Sequence, residues 1–165
     1  MKKHLIVLTV AIILILNLNA QEIEQIPNYK HSFSVHAGGP LALVSFEYEY
    51  KFFSNNDHSL YASIGAATAI IAYTFPVGIN YSYGGKNKLL LGAHLVLANS
   101  YNFMAEPGEE DWVKGHLFAF KIGYEREVIV SRGSLGFSIC FLPLFDNSSL
   151  FPWGSVGISY NFNLK

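Results

Sequence analysis

From His31 onward, apolar and polar residues alternate with a period of two along most of the chain, the mark of strands with two unlike faces. The clearest run sets Tyr73, Phe75, Val77, Ile79, Tyr81 and Tyr83 on one face and Thr74, Pro76, Gly78, Asn80, Ser82 and Gly84 on the other. Phe46 to Phe52, Phe118 to Tyr124 and Val156 to Leu164 repeat the alternation. Weaker segments near 31–38, 60–71, 88–99 and 134–144 bring the expected total to eight strands, with the register of 60–71 undefined because small residues occupy both of its faces. Connections alternate in kind. Residues 54–59, 84–88 and 130–134 are compact and turn-like, whereas 100–115 and 146–152 read as longer loops. The connections at Gly38-Gly39-Pro40 and Ala72 fall on the side of the longer loops.

The beginning of the chain differs. Lys2 and Lys3 precede an apolar run from Leu5 to Leu16, and Ala20 precedes Gln21, so residues 1–20 are expected to be a secretory signal peptide. The run is too short and too interrupted by Asn17 and Asn19 to span a bilayer, which needs about 20 apolar residues. Residues 21–30 form a short polar lead-in, expected in the periplasm, and 31–165 the strand-rich domain. The exported part has no further run long enough for a membrane helix, so a membrane fold would have to be a closed β-barrel.

Composition chooses between the two ways of wrapping such strands. A lipocalin-like barrel turns its apolar face inward and bathes its polar face in water. Here the polar face is built of Gly, Ser, Asn and Ala with a few charges of both signs, and only 14% of the chain is charged against 51% hydrophobic, where a soluble domain carries about a quarter charged. Small polar residues suit a narrow lumen. Tyr48, Tyr50, Phe52, Tyr81, Tyr83, Tyr124, Tyr160 and Phe162 gather toward the compact turns, as an interfacial girdle would. The expectation is an all-β, eight-stranded antiparallel up-and-down transmembrane β-barrel with both termini periplasmic. With 11 Lys and Arg against 12 Asp and Glu, there is no basic excess to suggest a nucleic-acid partner. The single Cys140 excludes a disulfide framework.

Together with the final strand GISYNFNLK, these features resemble the small outer-membrane barrels of Gram-negative bacteria, OmpX-like or similar to the OmpA membrane domain. The resemblance implies residence in the bacterial outer membrane, contact with its lipid and lipopolysaccharide, and insertion by the barrel assembly machinery. The chain departs from families that end on Phe, because Phe162 is followed by Asn163, Leu164 and Lys165.

Candidate chemistry is sparse. A barrel deacylase would need His, Ser and a carboxylate together on the lipid face. The outward set is almost wholly apolar: His36, His94, Ser34 and Ser138 fall inward by parity, and His116 near the loop rim has no serine beside it. The chain is therefore read as non-enzymatic, with no cofactor. Parity and strand direction predict a lumenal charge network in which Glu47 and Glu49 face Lys121, with His94 joining them and Lys51 facing Glu125 and Glu127 lower down. Carboxylates bound to water or turn residues are the alternative. An eight-stranded lumen has room for little beyond its own side chains, so the network is expected to plug it. In the loop 100–115, Phe103, Met104, Glu109, Glu110, Asp111 and Trp112 are candidate partner contacts, and its acidic residues lack the spacing of a calcium loop. Three functions remain open: a structural or adhesive barrel acting through external loops, an accessory subunit of a larger outer-membrane complex, and a lipid A modifying enzyme.

Overall fold

The computed structural model describes residues 28–39, 43–69, 72–101, 112–146 and 149–164. The order of the strands is β1 (His31–Gly38), β2 (Val44–Asn55), β3 (His58–Ala69), β4 (Ala72–Tyr83), β5 (Asn87–Tyr101), β6 (Trp112–Val130), β7 (Gly133–Phe141), β8 (Leu144–Asp146), β9 (Ser149–Phe151) and β10 (Gly154–Phe162). Consecutive strands from β1 to β7 pair antiparallel, β7 pairs β10, and β10 pairs β1. Eight strands thus close on themselves, and closure leaves the wall without an edge. The short β8 and β9 form a hairpin carried on β6.

The strands are inverted relative to a soluble protein. Phe33, Val35, Phe46, Phe75, Val77, Ile79, Phe120, Ile122, Ile139, Val156 and Ile158 are exposed, while Ser32, Ser34, Ser63, Asn80, His94, Lys121 and Ser159 are buried. A contiguous apolar surface of this size is not tolerated by water. The segment of undefined register takes its place as β3, with Ser59, Tyr61, Ser63 and Ala67 inward and Ile64 outward.

Turn chemistry separates the two ends. At one end, β2 and β3 are joined through Asn56, whose φ of 49° is left-handed, and β4 turns at Gly84 with φ of 120°; residues of these types tolerate that region best. Ser131 and Arg132 make the third short turn at the same end, which also holds residues 28–30 and 163–164. The opposite end carries the longer connections, with Gly38 and Gly39 at positive φ. These are called below the turn end and the hairpin end.

Three details differ from the sequence expectation. The loop expected over 100–115 is strand at both its ends, since β5 runs to Tyr101 and β6 begins at Trp112, its partner, while 102–111 lie outside the described residues. Above Phe118, β6 pairs only with β5 among the described residues, while β5 stays paired with β4 up to Ser100. The loop expected at 146–152 contains β9 and the end of β8. Finally, Phe52 is an extra residue in β2, where the register shifts between Lys51 and Phe53. The bulge lets Phe52 and Phe53 both face outward, as their exposure shows.

Candidate functional site

The lumen holds the chemistry. Glu47 on β2 accepts from Lys121 Nζ on β6 at 3.1 Å and from Asn80 Nδ2 on β4 at 3.1 Å. Its carboxylate oxygens also lie 3.7 Å from His94 Nε2 and 3.9 Å from His36 Nε2. Glu49 accepts from Asn80 Nδ2 at 2.5 Å and lies 3.7 Å from Lys121 Nζ. One lysine therefore serves two carboxylates, and an asparagine joins them. The pattern recurs nearer the turn end, where Lys88 pairs with Glu127 and lies 3.6 Å from Glu125. Ser134 and Asn161 donate to Glu127, and Ser159 donates to Glu125 at 3.1 Å. Buried carboxylates and ammonium groups need this density of partners to offset their desolvation.

Of the residues expected in the lumenal network, the structure brings Glu47, Glu49, Lys121 and His94 together. Among the described residues no ion pair joins Lys51 to Glu125 or Glu127, although Lys51 and Glu127 line the same vestibule. Those carboxylates are held by Lys88, which the sequence reading put where the turn 84–88 meets the segment 88–99 and did not include in the network, and which is the second residue of β5 and points inward. The only missed signal was that Leu89 and Leu91 continue an outward row, fixing Lys88 on the other face. Lys51 instead donates to Asn28 Oδ1 at 3.3 Å and stands over the Tyr61 ring, 5.4 Å from its centroid. Phe103, Met104, Glu109, Glu110 and Asp111 lie outside the described residues, and Trp112 is placed by its backbone pairing with Tyr101.

Each lumenal histidine lies on a glycine. His94 is opposite Gly78 and His36 opposite Gly157 in the register, and a Cβ on either glycine would collide with the facing imidazole. The missing side chains let both rings lie against the wall and leave the axis to Glu47 and Lys121.

The space that remains is uneven. A cavity of about 30 Å³ lies between the two ion-pair groups, lined by Glu49, Asn80, Lys121 and Glu125 among others; that is room for about one water. The turn end opens into a vestibule of about 310 Å³ lined by Lys51, Tyr61, Lys88 and Asn161. Toward the hairpin end, Val96, Ala119 and Leu144 form a fully buried apolar cluster with Leu117 and Trp153 packed on it. The Leu142 N–H donates to the Trp153 carbonyl at 2.7 Å and the Phe120 N–H to the Pro143 carbonyl at 3.1 Å, which holds β8 against the wall.

Hydrolytic chemistry finds no working arrangement among these groups. Ser34 Oγ is 2.9 Å from His36 Nε2, but Glu47 approaches the same nitrogen, while Nδ1 has no partner. A relay requires the acid on one ring nitrogen and the serine on the other. His116 is exposed on β6 opposite Leu97. Among the described residues, no three His, Cys, Asp or Glu side chains converge to hold a metal. Cys140 is buried and faces the lumen beside Gly123.

The wall and its closure match known barrels. The N-terminal β-barrel domain of Pseudomonas aeruginosa OprF superposes with a TM-score of 0.57 at 12% identity, covering 82% of this chain and 98% of that one. The chain has the fold of the small outer-membrane barrels. The Yersinia pestis outer-membrane protein Ail, solved in a phospholipid bilayer nanodisc, superposes with a TM-score of 0.50 at 12% identity over 82% of this chain and all of that one. No protein-family model and no curated protein matches the sequence.

Proposed function

We propose that this protein is a non-enzymatic integral barrel of the bacterial outer membrane whose lumen is plugged and whose role is carried by its hairpin end. In this reading a signal peptide over residues 1–20 directs export, the turn end and both termini face the periplasm, and the hairpins face outward. The single observation that carries it is the combination of a closed apolar outer wall with a lumen filled by ion pairs and an apolar cluster. The asymmetry of short turns and longer hairpins supports the orientation. Lipid and lipopolysaccharide would meet the wall, and the barrel assembly machinery would insert it.

The test is fractionation followed by electrophoresis without boiling. The reading requires the protein in the outer membrane, migrating as a compact band that shifts on heating. Recovery from the soluble periplasm would reject it.

A second reading, an accessory subunit of an outer-membrane complex, is favoured by one feature. Above Phe118, β6 presents backbone groups with no partner strand among the described residues, a template for pairing with another chain. Extraction in mild detergent separates the two: stoichiometric partners support the subunit, and an isolated monomer supports the first reading.

A further inference from the structure

One charge on the outer wall has no ion-pair partner among the described residues. Arg126 lies in the outward row of β6, between Tyr124 and Val128, and is exposed. Its cross-strand neighbours are Asn87 on β5 and Phe137 on β7, and both Phe137 and Val128 are exposed hydrophobics. The inward lysines Lys88 and Lys121 each have two carboxylates within ion-pair distance, whereas no acidic side chain pairs with Arg126 among the described residues. Tyr124 gives its hydroxyl to Asn87 Oδ1 at 2.6 Å and leaves the guanidinium unattended.

Depth sets the problem. The row above Arg126 reads Tyr124, Ile122, Phe120, Phe118 and then the exposed His116, and beyond it stands Lys114 at the hairpin end. With a rise of about 3.3 Å per residue and a strand tilt of about 40°, the two cations stand roughly 30 Å apart along the barrel axis. They bracket the apolar row Tyr124 to Phe118 over a span comparable to a bilayer core. An arginine at such an edge is tolerated where its fork finds phosphate, which it binds bidentately. The exposed surroundings have the same sign: Lys30, Lys86 and Arg132 also stand at the turn end, against Asp57 in its turn, while the lumenal Glu125 and Glu127 are held by Lys88.

We infer that Arg126 anchors the phosphodiester of an anionic phospholipid, of the phosphatidylglycerol kind, in the leaflet that meets the turn end. Tyr124 and Phe137 flank the site as the apolar surface for its acyl chains. This rests on the bilayer reading above.

The test uses the full barrel reconstituted in vesicles of phosphatidylcholine alone and of phosphatidylcholine with phosphatidylglycerol, followed by native mass spectrometry of the lipids that stay bound. The wild type should retain phosphatidylglycerol over phosphatidylcholine by about tenfold. Arg126→Gln should lose that preference and Arg126→Lys should keep part of it. Equal retention by the wild type and Arg126→Gln, or no headgroup preference in the wild type, would overturn the inference while leaving the barrel in its bilayer. Failure to insert into either vesicle would instead overturn the membrane reading and this site with it.

Discussion

Lys121 Nζ lies 3.1 Å from Glu47 Oε2, joining two side chains 74 positions apart in the chain and on facing walls of the barrel. Both groups are withdrawn from water, so each depends on the other's charge. Lys121→Met should destabilise the barrel by about 3–5 kcal/mol, the usual cost of orphaning a buried charge. Adding Glu47→Gln should recover part of that loss, with a coupling above about 1 kcal/mol in denaturant unfolding from vesicles. A coupling near zero would mean that Asn80 and His94 satisfy Glu47 without the lysine.

Ile158 is 53% exposed on β10, between Val35 of β1 and Phe137 of β7. In a bilayer this position, at the middle of β10, meets acyl chains, and Ile158→Arg should cost about 2–4 kcal/mol. The same unfolding assay measures it, with the nearby lumenal Ser159→Ala as a comparison for general damage. A neutral Ile158→Arg would mean that the wall faces water.

The plug proposed above consists of the two lumenal ion-pair groups, with a cavity of about 30 Å³ between them, and the Val96–Ala119–Leu144 cluster. Planar-bilayer recording of the wild type should therefore show no steady conductance. Regular single-channel steps would remove the plug from the account.

Gly78 and Gly157 are expected to resist substitution although neither is in a turn. Gly78→Ala drives a methyl into the His94 ring and the Ala93 carbonyl, and Gly157→Ala drives one into the His36 ring. Overpacking of this kind costs about 1–3 kcal/mol. His94→Ala in the Gly78→Ala background should return most of the Gly78 loss if the ring is the obstacle; no recovery would place the strain in the backbone.

The wall was legible in the sequence because lipid and lumen impose opposite demands on adjacent residues, and Phe75-Pro76-Val77-Gly78 records both. Other segments were obscured. Trp112 to His116 read Trp-Val-Lys-Gly-His, without alternation, so the pattern gave no warning that β6 begins there. Lys88 was hidden by its neighbours Gly84, Gly85 and Asn87, whose turn character extends closer to β5 than the turn itself does. Lys51 was placed by parity on the correct face, but parity says nothing of depth or rotamer. The Phe52 bulge and the Asn28 carbonyl oxygen of the side chain decide where its ammonium group rests.

The pairing of β1 with β10, from His31 opposite Phe162 to Gly38 opposite Ser155, has a consequence for how the molecule is made. The first strand cannot be sealed until the last one has emerged, so the order of synthesis and the order of stabilisation run against each other. Every contact at this seam spans more than a hundred residues, a topology that slows folding. Until the seam closes, the amide and carbonyl groups on the open side of β1 would meet hydrocarbon unpaired, at several kcal/mol each. The growing chain thus has every reason to stay out of the bilayer until it is complete, and its delivery must keep the early strands soluble while the last nine residues of the wall are still to come.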